Sequence, residues 1–264
     1  MTVITLTTEW RPDDIYNGII RGKLCTRCPG TPVIENASGL IPFDISRGSF
    51  IIRNTFMNYP AGSVHIICIL SEARKGAGHL IVKSRGHYFI GTDNGIFSLI
   101  LNSEPDEIIS IDAGEISDEL EVVARAAAGL VSGKKPSELG TPLKKINETL
   151  PLRATIDTDE IIGSIIFIDS YGNAISNITR EIFYRVFEKK DFRIYIVSNL
   201  NFTDTISLNY NDVPVGDLLA RFNSLDLLEF SINGANVSEL LSIEIGSSVR
   251  IDTSGNTAPA NRLF

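Results

Sequence analysis

The sequence predicts an α/β protein with two domains: a layered N-terminal α/β domain with a mainly parallel sheet, and a smaller C-terminal β-barrel-like domain. Strand-like and helix-like patterns alternate through the first 140 residues. Prolines and charges interrupt that alternation over 141–160, and short strand patterns with turn signals follow. We therefore expect domains at 1–143 and 161–264, joined by a linker at 144–160.

In the first domain, apolar runs and alternating patterns predict five strands, at 2–8, 31–36, 63–70, 79–84 and 87–92. Helical spacing predicts helices at 15–28, 42–60, 94–102 and 117–133. Asp13 and Asp14 stand where the first helix needs an N-cap. The last helix has an acidic first turn, an alanine-rich body and a glycine at its end. Strands that alternate with helices indicate a parallel sheet.

In the second domain, the pattern changes to strands separated by turn residues. Strands are predicted at 163–173, 192–198, 205–210, 227–232 and 247–253, with one helix at 179–190. This composition of elements indicates a small all-β or barrel-like domain.

Composition excludes several classes of function. The chain has 264 residues, of which 43% are hydrophobic and 21% charged, as is ordinary for a globular protein. The net charge of −8 offers no basic stripe for nucleic acid. No apolar run is long enough to span a membrane, and the N-terminus has no signal-peptide pattern. We expect a cytoplasmic protein that binds neither nucleic acid nor membrane.

Cys25 and Cys28 form a C-x-x-C pair that two interpretations fit. A zinc site would need a second pair of ligands at suitable spacing, and a redox motif would open a helix rather than close one. We favour two buried or half-buried thiols over a redox pair, and we expect no metal site.

Several common enzyme motifs are missing. No G-x-G-x-x-G follows the first strand, and 73–79 is not a phosphate-binding P-loop. No G-x-S-x-G occurs, which disfavours a serine hydrolase.

A set of motifs in order along the chain resembles the S-adenosylmethionine hydroxide adenosyltransferase family, whose sister enzymes are the fluorinase and chlorinase. The matching stretches are 4–22, 40–52, 59–69, 89–97, 167–178, 213–241 and 245–251. The resemblance implies a homotrimer with sites at subunit interfaces. It also implies attack of water or hydroxide on the C5′ carbon of S-adenosylmethionine, which gives adenosine and methionine. S-adenosylmethionine would be the substrate or ligand, and no cofactor is expected.

The resemblance also implies which residues bind the ligand. Glu9 stands where the family has an acidic residue for the ribose hydroxyls, although the family usually has Asp. Asp169 would face the methionine ammonium, and Asn173 the adenine edge. The full set of expected ligand-binding residues is Glu9, Asp14, Phe43, Asn94, Asp169, Asn173, Tyr210, Ser224 and Asn233. An alternative for Asp169 and Asn173 is that they only form a tight turn.

The catalytic positions depart from the family pattern. The hydrolases have an Asp, an Arg seven residues later and a downstream His, and these positions correspond here to Leu70, Ala77 and the neighbourhood of Glu119. The usual Asp-Arg-His set is therefore missing. A rewired site would use Glu119 as the base for water, with Arg74 or Lys75 orienting it. The alternative is that residues 71–76 form only a solvated charged turn.

Two functions follow as hypotheses. The first is an S-adenosylmethionine-binding protein with a remodelled site, and if active a hydrolase. The second is an inactive relative that serves as an adenosyl-binding or structural trimer. A halogenase is unfavourable because the carboxylate of Glu119 would repel a halide.

Overall fold

The computed structural model describes residues 2–253 except 102, 115, 117 and 189. The described chain divides into two compact units that meet between Pro151 and Leu152, within the stretch predicted as a linker. The predicted helix ends at 102 and 117, and the tail after 253, lie outside the described residues.

The first unit is built on a mixed sheet flanked by helices. Its described strands are β1 (Ile4–Thr8), β2 (Val33–Ala37), β3 (Val64–Cys68), β4 (His79–Ser84), β5 (His87–Thr92), β6 (Glu107–Ile111) and β7 (Gly140–Pro142). The helices are α1 (Ile15–Arg27), α2 (Ile45–Thr55), α3 (Ile96–Ile100) and α4 (Glu119–Val131), with 3₁₀ turns at Phe56–Asn58 and Pro136–Glu138. The strand order is β2-β1-β3-β5-β4-β6-β7.

The α/β class is confirmed, and the parallel pairing covers the β2-β1-β3-β5 half of the sheet. The remaining pairings are antiparallel. A two-residue turn causes this change, since Ser84 pairs directly with His87. The intervening Arg85 and Gly86 both have positive φ, as a tight hairpin turn requires. The strand at Glu107–Ile111 was not predicted from the sequence.

Two apolar layers cover the two faces of this sheet. One contains Ile20 and Leu24 of α1 with Val123 and Ala127 of α4, all buried. The other contains Ile52 of α2 together with residues of α3. The sheet is therefore fixed on both faces, and the loops at its edges can carry chemistry on a rigid support.

Helix α2 begins later than the sequence predicts. The backbone of Phe43 is left-handed, with φ of 68°, and Asp44 caps the helix by accepting a hydrogen bond from the Arg47 amide. Residues 42–44 therefore form a loop rather than a helical turn.

The second unit is a curled sheet, as predicted. Its described strands are β8 (Thr155–Ile156), β9 (Glu160–Ile168), β10 (Ala174–Thr179), β11 (Phe192–Ile196), β12 (Ser198–Thr203), β13 (Ile206–Ser207), β14 (Leu218–Phe222), β15 (Leu227–Ile232) and β16 (Ser248–Thr253). Helices α5 (Arg180–Phe187) and α6 (Val237–Leu240) and a 3₁₀ turn at Tyr210–Asp212 complete it. The main strand order is β12-β11-β16-β9-β10-β15-β14-β13, and β8 pairs with β9.

Phe183 and Phe187 of α5 are buried in an apolar core that the sheet encloses. The predicted strand at 205–210 is short because only Ile206 and Ser207 pair with β14. Strands β10, β12 and β14 were not predicted, since turn-forming and polar residues hide their alternation.

The exposure of the thiols differs from the prediction at Cys25. Cys28 and Cys68 are buried, but Cys25 is exposed, because it points outward from α1 while Leu24 and Cys28 face the core. All three are free. The described residues contain no helix long and apolar enough to cross a membrane.

Candidate functional site

The candidate site lies at one edge of the first sheet. Strands β1, β2, β3 and β5 are parallel, so the loops that follow them emerge at the same edge. These loops hold Glu9, residues 38–44, residues 69–78 and Asn94. Strand β6 also ends here, and Glu119 begins the helix that follows it. Five of the residues expected from the sequence therefore share this edge: Glu9, Phe43, Arg74, Asn94 and Glu119.

Glu9 joins two of these loops through a single carboxylate oxygen. Its Oε2 accepts the backbone N–H of Phe43 at 2.6 Å and that of Leu70 at 3.2 Å. Both donors have left-handed backbones, with φ of 68° and 46°. Non-glycine residues in this region carry about 1–2 kcal/mol of strain each. The half-buried Glu9 thus holds two strained residues at the edge where a ligand would bind.

The loop after β3 is held through its backbone by side chains from other elements. Asn94 Nδ2 donates to the carbonyls of Ile69 and Leu70, at 2.9 and 3.0 Å. Thr92 Oγ1 donates to the Ser71 carbonyl at 2.5 Å. The conformation of this loop consequently depends little on its own side chains. Leu70 belongs to none of the apolar core clusters of the described residues.

The two expected catalytic residues, Glu119 and Arg74, differ in how they contact the loop after β3. Glu119 Oε1 accepts the backbone N–H of Ala73 at 2.6 Å, so this carboxylate contacts the loop. Arg74 is exposed in the same loop, where its backbone exchanges two hydrogen bonds with Ala77. The structure therefore brings Glu119 and the backbone of Arg74 to one loop. Ala77 is buried, which leaves it no direct part in chemistry.

Electrostatic effects locate both carboxylates near the end of β3. Burial, with smaller contributions from the charges of Glu9 and Glu119, raises the pKa of the Cys68 thiol to about 12. His79, buried at the start of β4, has a pKa lowered by burial, which the charge of Glu119 and the Ser71 carbonyl partly oppose. His79 directly follows the loop in sequence, and its lowered pKa favours the neutral imidazole at pH 7.

A pocket of about 380 Å³ lies beside the loop, lined by residues that include Arg74, Lys75, Asp93 and Asn94. Asn147 closes one side, since its Nδ2 donates to the carbonyls of Asp93 and Gly76. Burial raises the pKa of Asp93, and the Asn147 amide opposes this by donating to its carboxylate. The pocket is polar and has charges of both signs.

A larger pocket of about 650 Å³ lies between α4 and β7. It contains none of the expected site residues. Within the described ranges, no three His, Cys, Asp or Glu side chains are grouped closely enough to hold a metal ion.

In the second unit, Asp169 and Asn173 form a tight turn. Asp169 Oδ1 accepts the backbone N–H groups of Tyr171 and Asn173, both at 2.9 Å, and Oδ2 accepts from Asn173 Nδ2 at 3.0 Å. The turn also requires Gly172, whose φ is 82°. The two residues therefore do form a tight turn, and ligand binding by them stays a prediction.

Tyr210 is held by residues that sequence reasoning missed. Its hydroxyl donates to Glu229 Oε1 at 2.8 Å, and the Arg221 guanidinium lies 4.6 Å from its ring centroid. Asp169 is close enough for its charge to contribute to the raised pKa of Tyr210, after burial and Glu229. One faint signal could have indicated this arrangement, namely a charged residue in the middle of the apolar run 227–232.

The three remaining expected ligand-binding residues are Ser224, Asn233 and Asp14. Ser224 lies exposed in the β14–β15 turn, near the strand end where Thr179 pairs with Leu227. Asn173 precedes β10 at the other end of these strands, so the structure does not bring Ser224 to it. Asn233 Nδ2 braces a neighbouring loop by donating to the Val213 carbonyl. Asp14 caps α1 by accepting the Tyr16 amide, as the sequence predicted.

The fold and this edge define a two-domain α/β protein with a carboxylate-rich site on the loops of a parallel half-sheet. Residues 4–140 match the sequence profile of the SAM hydroxide adenosyltransferase N-terminal domain, and residues 163–250 match that of its C-terminal domain. The chain therefore belongs to the SAM hydroxide adenosyltransferase family.

Curated relatives agree with this assignment, and two solved structures share the fold. An (R)-S-adenosyl-L-methionine hydrolase of Thermus thermophilus is 25% identical over 270 residues, which cover 95% of this chain and 100% of the relative. One from Methanocaldococcus jannaschii is 23% identical over 187 residues, covering 69% of this chain and 68% of the relative. A structure of an uncharacterized conserved protein from Thermotoga maritima superposes with a TM-score of 0.84 at 20% identity, over 95% of this chain and 100% of that one. The structure of a conserved hypothetical protein from Thermus thermophilus gives a TM-score of 0.76 at 23% identity, again over 95% of this chain and 100% of that one.

Proposed function

We propose that this protein hydrolyses S-adenosylmethionine to adenosine and methionine with a remodelled catalytic loop. The observation that carries the proposal is the loop 69–73, held by its backbone between Glu9 and Glu119 at the ligand-binding edge of the sheet. The curated relatives named as hydrolases support the same chemistry. None of them supports an inactive protein or a halogenase.

Binding would use both polar and apolar groups. Glu9 keeps its Oε1 available beyond the two backbone donors, and a carboxylate oxygen accepts hydrogen bonds from ribose hydroxyls. The ring of Phe43 is 68% exposed, which suits an aromatic wall. Asp169 and Asn173 would contact the methionine and adenine ends respectively.

The reaction is a displacement at the C5′ carbon. The oxygen of water forms a bond to C5′ while the C5′–sulfur bond breaks, and the electron pair of that bond leaves with sulfur as a neutral thioether. Glu119 would take the proton from water, and Arg74 would orient the attacking oxygen. The leaving group is already activated by its positive charge, so alignment and removal of water are the main tasks of the protein. No cofactor is needed for this chemistry.

We also propose that the protein acts as a cytoplasmic homotrimer with sites at its subunit interfaces. Light scattering after size exclusion measures the mass of the particle. A mass of one or two chains at micromolar concentration would contradict the trimer.

Activity that is lost on dialysis against a chelator and regained with metal would contradict the absence of a cofactor.

The direct test is incubation of the purified protein with S-adenosylmethionine, followed by chromatography of adenosine and methionine. We expect equal amounts of the two products, formed above the uncatalysed background. Glu119→Gln should lower the rate by about 100-fold or more, the low end of what general-base catalysis contributes, and Arg74→Ala by at least about tenfold. Glu72→Gln and Lys75→Ala are matched controls from the same loop, and should change the rate less.

Two outcomes would contradict the proposal. Thermal stabilisation by S-adenosylmethionine without product would indicate an inactive binding protein. Product formation that is unchanged in Glu119→Gln would retain the hydrolase but remove Glu119 as its base.

A further inference from the structure

The side chain of Tyr210 is fixed at two points while much of it stays accessible. Its hydroxyl donates to Glu229, and its ring face contacts the Arg221 guanidinium. Even so, 42% of the residue is exposed. An aromatic ring with a restrained orientation and an open surface is well suited to stack on a planar ligand ring.

The stability of the fold does not explain why a carboxylate, that of Glu229, is buried here. On β15, Leu228 and Phe230 face the apolar core, so Glu229 points to the opposite face of the sheet. It is nevertheless only 4% exposed. Its hydrogen-bond donors are the hydroxyls of Tyr210 and, at 3.4 Å, Ser231. Burial of a carboxylate without a cationic partner is costly, and an apolar side chain would stabilise the fold better.

Arg221 is a second polar residue whose burial is unfavourable for folding. It stands directly opposite Glu229 in the β14–β15 register, yet the two form no ion pair within the described part of the chain. Its guanidinium stacks on Tyr210 instead, and its Nε is buried without a hydrogen-bond partner in the described residues. An unsatisfied buried donor is unfavourable by about 1–3 kcal/mol. Two unfavourable polar groups therefore converge on one aromatic ring.

The surroundings of Tyr210 connect it to the expected ligand site. Asp169 is near enough for its charge to act on the Tyr210 hydroxyl. Asp169 also belongs to the turn that holds Asn173. The restrained ring thus lies beside the residues of the second unit that are expected to contact the ligand.

We propose that Glu229 and Arg221 are positioning residues, which hold the Tyr210 ring as a stacking surface for the heteroaromatic base of an adenosyl ligand. This inference rests on the proposed function. Neither residue needs to touch the ligand, because each acts through the orientation of the Tyr210 ring.

The test measures adenosine binding by calorimetry, with Glu229→Leu, Glu229→Gln, Tyr210→Phe and the double variant of Glu229→Leu with Tyr210→Phe. The Gln side chain keeps an oxygen acceptor for the hydroxyl, whereas Leu and Phe each remove the bond. Tyr184→Phe is the matched control, since Tyr184 is a half-exposed tyrosine on α5.

We expect Glu229→Leu and Tyr210→Phe each to weaken adenosine binding by about tenfold, and Glu229→Gln by less than about threefold. The double variant should bind no more weakly than either single one, because Glu229 acts only through Tyr210.

Phenolate absorbance gives a second readout: the tyrosine that titrates last in the parent should titrate at lower pH in Glu229→Leu. This tyrosine should be missing from the titration of Tyr210→Phe.

Unchanged adenosine affinity in Glu229→Leu and Tyr210→Phe would overturn the inference, as would additive losses in the double variant. A parent protein that hydrolyses S-adenosylmethionine but does not bind adenosine would overturn the stacking role alone. A parent that does neither would overturn the proposed function as well.

Discussion

Removal of the Glu9 carboxylate should loosen two loops at once. In Glu9→Ala, the backbone N–H groups of Phe43 and Leu70 lose a charged acceptor. Hydrogen bonds to charged groups contribute about 1.5–3 kcal/mol each. Two such bonds at the lower end give about 3 kcal/mol, and we allow about half of this for water that replaces a half-buried acceptor. We therefore expect local stability to fall by about 1.5–3 kcal/mol.

Amide hydrogen exchange measures this effect at the two donors. A loss of that size predicts roughly 10- to 150-fold faster exchange at Phe43 and Leu70. Both residues have strained backbones, so this strain favours opening once the Glu9 acceptor is gone. Glu9→Gln keeps a neutral oxygen acceptor and should show about half of the energetic loss.

Global unfolding can be followed in the first unit alone. Trp10 is the only tryptophan of the chain and packs against the core of that unit. Its fluorescence in urea should therefore report the first unit without interference from the second. Glu72→Ala, an exposed carboxylate in the loop after β3, is the matched control and should change neither readout. Unchanged exchange at Phe43 and Leu70 in Glu9→Ala would refute the reasoning.

Three further predictions concern other parts of the molecule. Burial holds the pKa of His65 at about 3, so unfolding takes up a proton below pH 6.5 and stability should decline by up to about 1.4 kcal/mol per unit as the pH falls through the window from 6.5 to 3. Urea midpoints from pH 8 to 5 should show this slope, and His65→Gln should reduce it to the part that His79 and His87 contribute, since burial lowers their pKa values too. Gly172 has a positive φ, and a Cβ at this position would collide with the Asn236 side chain. Gly172→Ala should therefore destabilise the second unit by about 2–5 kcal/mol, measured by circular dichroism melts. An unchanged melt would contradict the collision. A thiol reagent should modify one cysteine quickly in the native protein, and Cys25→Ser should abolish that phase, since the other two thiols are buried.

Much of the fold followed from local patterns in the sequence. Helix α1 begins after Asp14 and α4 ends near the glycine that terminates its alanine-rich body, as capping chemistry predicts. The strands β3 and β5 were found from short apolar runs, since both are almost wholly buried, and β1 from the alternation of apolar residues with threonines. These features depend on neighbours within one or two turns of chain, which is why the sequence alone determined them. The ordered motifs likewise indicated the family.

The tertiary structure decided what depends on contacts between distant residues. The carboxylate of Glu9 joins Phe43 and Leu70, which lie 34 and 61 residues away in the sequence. No local pattern encodes the left-handed backbones of these two residues. The hydrogen bond of Tyr210 to Glu229 likewise joins residues of different elements, 19 positions apart in sequence. Side chains such as Ser224 were separated from the expected site because antiparallel strands place successive turns at opposite ends of a sheet. Local sequence specifies elements, whereas the geometry of a site arises only when those elements pack.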